Sequence, residues 1–345
     1  MKSVNSIRAE QSELTKDLRG KLSSLQSTIG EYRSEHGKLQ SFFDDVTMAI
    51  DAYVPNKQVY TPSPSKARVT TPCSVVAQAC DWHMGAVQPR AEIEGFNEFS
   101  PEICRQRVYE FAKKLIDWTE VHRAAYHIDE LVLLVLGDLI SGDIHDELRV
   151  TAEFPAPVQC VEAGGLLAEF VSMLAPHFAN VRVEFVVEDN HGRLTKKPQA
   201  REAGLNTFNY LVGHIAKLHL AKTDNVQFNI YPQYEAVVQV AGRKYLLCHG
   251  HGVSGWMGFP YYGIERKVAK EAMKRMNGPD ANRFNRVILG HWHAPMTHPI
   301  FWIGGSVSGT DAYDHKCGRA SPPSQASWIV HPKYSEFDRV DWDLR

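Results

Sequence analysis

The segment Val287-Ile288-Leu289-Gly290-His291-Trp292-His293 runs from an apolar stretch into a glycine and two histidines spaced one residue apart. Four other apolar runs end in a similar way. Residues 74–79, with Cys80, lead into Asp81-Trp82-His83, and residues 131–136 lead into Gly137-Asp138. Residues 181–187 lead into Glu188-Asp189-Asn190-His191-Gly192-Arg193, and residues 245–248 into His249-Gly250-His251. Any one of these is ordinarily a hydrogen-bonded histidine or a Gly-Asp turn. Together they put Asp, Asn and His at corresponding ends of five core strands, the edge at which open α/β sheets carry their sites. In extended chain, residues i and i+2 face the same side. Asp81 and His83 are therefore expected to converge, as are His291 and His293, with Trp82 and Trp292 turned away. Carboxylate, amide and imidazole donors without a thiolate suit divalent ions such as Mn²⁺, Fe²⁺ or Zn²⁺. The donors exceed what one ion takes. Two ions sharing a carboxylate use them, and a pair ~4 Å apart is a clamp for phosphoryl transfer.

The elements that must position these residues are legible as short apolar runs alternating with amphipathic stretches. Strands are expected at 74–79, 131–136, 181–187, 237–240, 245–248, 287–289 and 301–303, and helices around 102–122, 158–174, 205–220 and 264–276. This alternation predicts an α/β layered domain with helices on both faces. Residues 237–240 and 245–248, joined across Ala241-Gly242-Arg243-Lys244, read as a hairpin. The tail after Pro322-Pro323 reads as an irregular cover. The first 50 residues differ. Leu22, Leu25, Ile29, Tyr32, His36, Leu39, Phe43, Val46 and Ile50 alternate steps of three and four, a heptad seam. Gly30 and Gly37 interrupt it at a cost of about 1 kcal/mol each. Three readings stay open for this segment: an amphipathic helix on the body of the protein, a coiled coil that makes a homodimer, or a docking arm. Residues 54–72, with four prolines, read as a linker. The expected organisation is a helical segment at 1–53, the linker at 54–72 and one catalytic domain at 73–345.

The 345 residues are 43% hydrophobic and 23% charged with a net charge of -2, ordinary for a globular chain and neutral on nucleic acid. The six cysteines have no framework spacing and are expected to be reduced core thiols. No apolar run is expected to approach the length needed to span a bilayer, so a cytoplasmic protein without a membrane partner is expected.

The order D-x-H, G-D, N-H, H, G-H-x-H over roughly residues 73–310 resembles the calcineurin-like metallophosphoesterase superfamily. The resemblance implies a two-sheet sandwich flanked by helices, with a two-metal centre at one rim. Carried over residue by residue, it implies that Asp81, His83 and His293 hold one ion and that Asn190, His249 and His291 hold the other. Asp138 would bridge the two ions, most naturally Mn²⁺. His191 would be no ligand but would stand beside the scissile phosphate, steadying charge or protonating the leaving oxygen while a bridging hydroxide attacks phosphorus. The chain departs from the family pattern at Asp189, where a glycine normally precedes the Asn, and at Gly192-Arg193, where an acidic residue often follows the His. Aspartate tolerates the left-handed turn expected there better than most residues.

For the substrate, three features point to nucleic acid. Arg193, Lys196, Lys197 and Arg201 follow His191; Arg266, Lys267, Lys270, Lys274 and Arg275 share one helical stretch; residues 255–263 are aromatic and glycine-rich. Cations and stacking rings are what a polynucleotide groove requires. Within the superfamily the likeness is to SbcD-type nucleases, including phage-encoded ones, which implies a nuclease. A phosphodiesterase or phosphatase for a small or cyclic nucleotide is the alternative, ahead of a phosphoprotein phosphatase or a non-enzymatic scaffold. Arg193, Lys196, Lys197, His251 and His145 are the expected substrate contacts.

Overall fold

The structure, a computed structural model, describes residues 16, 19–34, 36–38, 40–41, 44, 69–144, 146–255 and 260–345. The chain divides into two compact units, Met1–Pro64 and Ser65–Arg345. In the first, residues 19–34 form a helix, α1, on which the seam residues Leu22, Leu25, Ile29 and Tyr32 are exposed. The later seam positions Leu39, Phe43, Val46 and Ile50, and residues 54–68 of the expected linker, lie outside the described residues.

The second unit runs β1 (Val69–Ala79), α2 (Pro101–Arg123), β2 (Tyr126–Val135), α3 (Asp146–Thr151), α4 (Ala156–Leu174), β3 (Asn180–Val186), α5 (Phe208–His219) and β4 (Val226–Tyr231). It continues through β5 (Ala236–Val240), β6 (Arg243–Leu247), α6 (Tyr261–Met276), β7 (Arg286–Leu289), β8 (Met296–Thr297), β9 (Phe301–Ile303), α7 (Ala312–Lys316), β10 (Ser324–His331) and β11 (Ser335–Asp343). These strands form two sheets, ordered β11-β10-β1-β2-β3-β4 and β5-β6-β7-β9-β8. The neighbours β1-β2-β3-β4 and β6-β7-β9 pair in parallel, and β5, β8, β10 and β11 pair antiparallel. β1 begins at Val69, inside the expected linker, with an irregular register around Pro72, where the missing N–H breaks the ladder.

The period of two in each strand sorts its side chains between layers. Leu131, Leu133 and Val135 of β2 join the core under α2, α4 and α5, whereas Val132, Leu134 and the following Leu136 face the second sheet. Val287 and Leu289 of β7 pack with Ile264 and Val268 of α6, whereas Ile288 faces the first sheet. The order of layers is helices, sheet, sheet, helix. This is the expected two-sheet α/β sandwich flanked by helices. Strands covered on both faces carry near-continuous apolar runs, which is why they stood out in sequence.

Three expectations are corrected. The tail is not an irregular cover: β10 is buried along its whole length and pairs with β1, and β11 closes a hairpin on it. Its polar residues concealed it. Gln325 is spent on the Cys80 peptide, accepting from Cys80 N at 3.0 Å and donating to Cys80 O at 3.0 Å and Gly305 O at 2.8 Å. Residues Ala156–His177 are long and apolar enough to cross a membrane, although Glu162 and Glu169 break the run, and 61% of their most apolar window is buried inside the protein. Five cysteines are buried thiols, but Cys317 is exposed.

The layer between the sheets closes on Trp328 of β10, fully buried, edge-on to Trp302 and to Tyr245. Trp328→Ala is expected to cost about 3–5 kcal/mol, read as a lowered denaturant midpoint at unchanged slope. A loss under about 1 kcal/mol would mean that the two sheets do not share this core.

Candidate metal centre

The five strands β1, β2, β3, β6 and β7 end at Ala79, Val135, Val186, Leu247 and Leu289. Each is followed within a few residues by the Asp, Asn or His read from the sequence. The residues do not converge by strand alternation. Asp81, His83, Asp138, His291 and His293 all have positive φ, from 48° to 70°. The left-handed conformation costs a non-glycine residue about 1–2 kcal/mol and persists only where the surroundings impose it. Here the backbone does so. Trp292 N donates to Gly290 O at 2.9 Å and Ala294 N to Trp292 O at 2.6 Å, two successive γ-turns centred on His291 and His293. Asp81 N donates to Gly137 O at 3.1 Å and His83 N to Asp138 O at 3.0 Å. Trp82 is buried in the helical-side core, and Trp292 packs on the outer face of the second sheet, so both point away as expected. Gly290 has a steric reason: a Cβ there would stand 2.5 Å from Asp81 Oδ2.

The side chains form linked groups. Asp81, His83 and His293 offer donor atoms within 4.8 Å of one another, and so do Asp138, His249 and His291. Asp138 also groups with His83 and His191. Asn190 Oδ1 lies 2.9 Å from His249 Nε2, and that nitrogen is 2.9 Å from Asp138 Oδ2. His83 Nε2 and His293 Nε2 face each other at 3.1 Å, the separation of two nitrogens that share a tetrahedral ion. Asp138 Oδ2 is buried and, despite the nearness of His249, has no hydrogen bond of good direction. The donor set and this orphaned oxygen fit divalent cations. His191 donates its backbone N–H to Asp138 Oδ1 at 3.1 Å. Its Nδ1 bonds the Ser141 carbonyl at 2.7 Å, and its Nε2 stands 4.0 Å from Asp138 Oδ2.

The charges explain the protonation pattern. Burial lowers the basicity of His249, but the Asp138 carboxylate, with Asp81 and Asp189, overcomes it and lifts the pKa to about 10. His293 is likewise lifted to about 9, against burial, by its hydrogen bond to Asp314 and by Asp81. His83 and His291 are held well below the ordinary histidine value by burial and neighbouring imidazoles. Burial works against ionisation of Asp138, yet His249 and His191 keep it well below the usual carboxylate range.

Asp189 is not in a left-handed turn, contrary to expectation. It is buried, and its carboxylate accepts from Asp138 N at 2.7 Å, from Gly192 N at 2.9 Å and from Asn209 Nδ2. It is the clasp of the loop. Arg193 and His251 share a cleft with Asn190 and His291. His251 Nε2 pairs with Glu188 at 3.1 Å. Lys196 and Lys197 do not line that cleft: Lys196 is exposed on Asp146 at 3.0 Å, and Lys197 is exposed. His145 and residues 256–259 lie outside the described residues. The sequence reading missed Asp314, which holds His293 Nδ1 at 2.9 Å and is itself held by Arg319 at 2.7 Å. It lies in α7, after β9, with no local pattern to mark it.

No family model and no curated protein matches the chain. Solved structures similar to it include a conserved uncharacterized protein, a predicted phosphoesterase, from Streptococcus pneumoniae. That likeness has 11% identity, covers 52% of this chain and 91% of the other, and has a TM-score of 0.26. The sulfate thiohydrolase SoxB of Thermus thermophilus is similar at 9% identity over 79% of this chain and 56% of the other, with a TM-score of 0.33. A candidate 5'-nucleotidase from Staphylococcus aureus is similar at 9% identity over 78% of this chain and 53% of the other, with a TM-score of 0.29.

Two outcomes are expected. Asp314→Asn removes the carboxylate that orients His293 and should weaken Mn²⁺ binding about 10–100-fold, measured by calorimetry, with the circular dichroism spectrum unchanged. Wild-type affinity after this change would remove Asp314 from the centre. With pKa values of about 10 and about 9, His249 and His293 carry protons at neutral pH in the metal-free protein, and an ion competes with those protons. Metal affinity should rise as pH goes from 6 to 9, with proton release visible as a buffer-dependent binding enthalpy. An affinity flat over that range would contradict the assignment.

Proposed function

We propose that the chain is a two-metal phosphoester hydrolase of the calcineurin-like metallophosphoesterase type. One observation carries the reading: two donor groups, Asp81–His83–His293 and Asp138–His249–His291, linked through Asp138 and His83 and standing beside His191. In this reading Asp81, His83 and His293 hold one ion, Asn190, His249 and His291 the other, and Asp138 both. Bound ions, with Mn²⁺ proposed, supply a water of low pKa and neutralise the phosphate. The chain supplies the rest. Ser141 fixes the His191 ring through Nδ1 and leaves Nε2 to protonate the departing oxygen, a task suited to an imidazole near neutral pH. Asp189 and Asp314 position Asp138 and His293 without touching substrate.

The basic and aromatic stretches favour a phosphodiester of nucleic acid. A second reading, a small nucleotide diester, is favoured by the pairing of the cations. Lys267 and Arg275 bond Glu235 at 2.6 and 3.0 Å, Lys274 bonds Glu271 at 3.0 Å, and Lys196 bonds Asp146. Cations already neutralised release few counterions from a polynucleotide.

Metal-free protein reconstituted with Mn²⁺ should hydrolyse diesters on a panel of single- and double-stranded DNA, RNA, cyclic dinucleotides and bis-p-nitrophenyl phosphate. His191→Ala should retain the metal and lose about 10²–10⁴-fold in kcat. Failure to bind Mn²⁺, or full activity in the variant, would sink the proposal. Affinity for polynucleotide that falls steeply with salt would select the nuclease, and cleavage of small diesters alone would select the second reading.

A further inference from the structure

Two clefts adjoin the candidate metal centre, and only one of them holds an arginine among its described residues. One, of about 350 Å³, opens beside His83 and His191. Its walls include Val87, Phe99, Leu148 and Tyr313, and its charged residues are Glu92, Glu147 and Asp311, with no lysine or arginine among its described residues. Arg319 stacks on Tyr313 while bonding Asp314, and Lys196 pairs with Asp146, next to Glu147. The other cleft lies on the Asn190 and His291 side and is lined by Arg193, His251 and Lys267 together with Glu188 and Glu235, which pair with His251 and Lys267 and leave Arg193 without a carboxylate partner among the described residues. There Arg193 Nε and His251 Nδ1 are buried without a hydrogen-bond partner. An unmet buried donor is costly, and an anionic oxygen would satisfy the guanidinium.

Resting on the two-metal reading above, we propose that the substrate lies across the centre with a fixed polarity. The cleft beside His191 takes the leaving group, which must be a compact, uncharged ring-bearing alcohol, and the Arg193 cleft takes the retained, anionic side. In the step, an oxygen of water bonds to phosphorus while the bond from phosphorus to the leaving oxygen breaks. The leaving oxygen takes the Nε2 proton of His191 and departs as a neutral alcohol into the apolar cleft; water resupplies that proton. A leaving group with its own carboxylate or phosphate would instead meet Glu92, Glu147 and Asp311. The centre then discriminates by the charge on the leaving group, so a polynucleotide chain continuing through this cleft is disfavoured and a terminal or small diester preferred.

The test uses Mn²⁺-loaded full chain and two methyl aryl phosphates, from which the aryl group always leaves: methyl p-nitrophenyl phosphate and its analogue with a ring carboxylate beside the nitro group. The neutral ester should be preferred in kcat/KM by about tenfold at low ionic strength. Glu92 and Glu147 are exposed, so Glu92→Gln with Glu147→Gln should fold, and the preference should shrink to about twofold in this double variant. Equal kcat/KM for both esters in the wild type, or a preference that the double variant leaves unchanged, would overturn the polarity while leaving the hydrolase reading intact. If neither ester nor p-nitrophenyl phosphate is cleaved although metal binds, the hydrolase reading fails and the polarity falls with it.

Discussion

Three carboxylates, Asp81, Asp138 and Asp189, are fully buried at the junction of the two sheets, and the rest of the rim is arranged to make that burial tolerable. An ion taken from water into a protein interior costs several kcal/mol even after relaxation. Each carboxylate offsets this by accepting from the end of a different strand. Asp81, after β1, accepts the His291 backbone N–H after β7. Asp138, after β2, accepts the His191 backbone N–H after β3. Asp189, after β3, reaches back to the Asp138 backbone N–H. The three carboxyl groups therefore tie the end of β1 to that of β7 and the end of β2 to that of β3, and the strand register of both sheets fixes where each tie begins.

This accounts for the strain at the rim. Five of the candidate ligands sit in left-handed backbone, and a sum of about 1–2 kcal/mol at each position is too large to persist on a loose loop. Behind the rim lies the inter-sheet layer, where Val76, Val132, Leu134, Ile288 and Trp328 are fully buried. An interior packed like a crystal transmits strain rather than absorbing it. The apolar layer thus holds the carboxylates in a geometry they would not choose, and leaves Asp138 with an oxygen whose natural complement is a cation.

The sequence carried the strands of this rim well, because these strands, covered on both faces, are near-continuously apolar and the switch to Asp, His and Asn is abrupt. It carried the geometry less well. The spacing of one residue between Asp81 and His83 is the same whether they converge by alternation or by a left-handed kink, so the right pairing was reached through the wrong conformation. β10 was hidden because Ser324, Gln325 and Ser327 are buried polar residues, with Gln325 bonded to Cys80 and Ser327 accepting from Trp342 Nε1. Asp314 was hidden for a related reason: a group that acts through another histidine 21 residues away has no local pattern. The lysines misled in the opposite direction, since a run of cations reads as a groove until Glu235 and Glu271 are placed beside them.

Burial also differs across the centre in a way that bears on its chemistry. Asp81, Asp138 and His249 are closed off, while Asn190, His191, His291 and His293 keep partial exposure. The carboxylates lie at the bottom of the site with His83 and His249, and Asn190, His191, His291 and His293 lie at its mouth. In the proposed two-metal reading, a cation entering from solvent passes an amide and imidazoles, one of which, His293, must give up its proton, before reaching the buried carboxylates. In the same reading, a phosphate approaching afterwards meets imidazoles rather than buried anions. The positive-φ turns after β1 and β2 bury Asp81 and Asp138 completely, whereas those after β7 leave His291 and His293 half-buried.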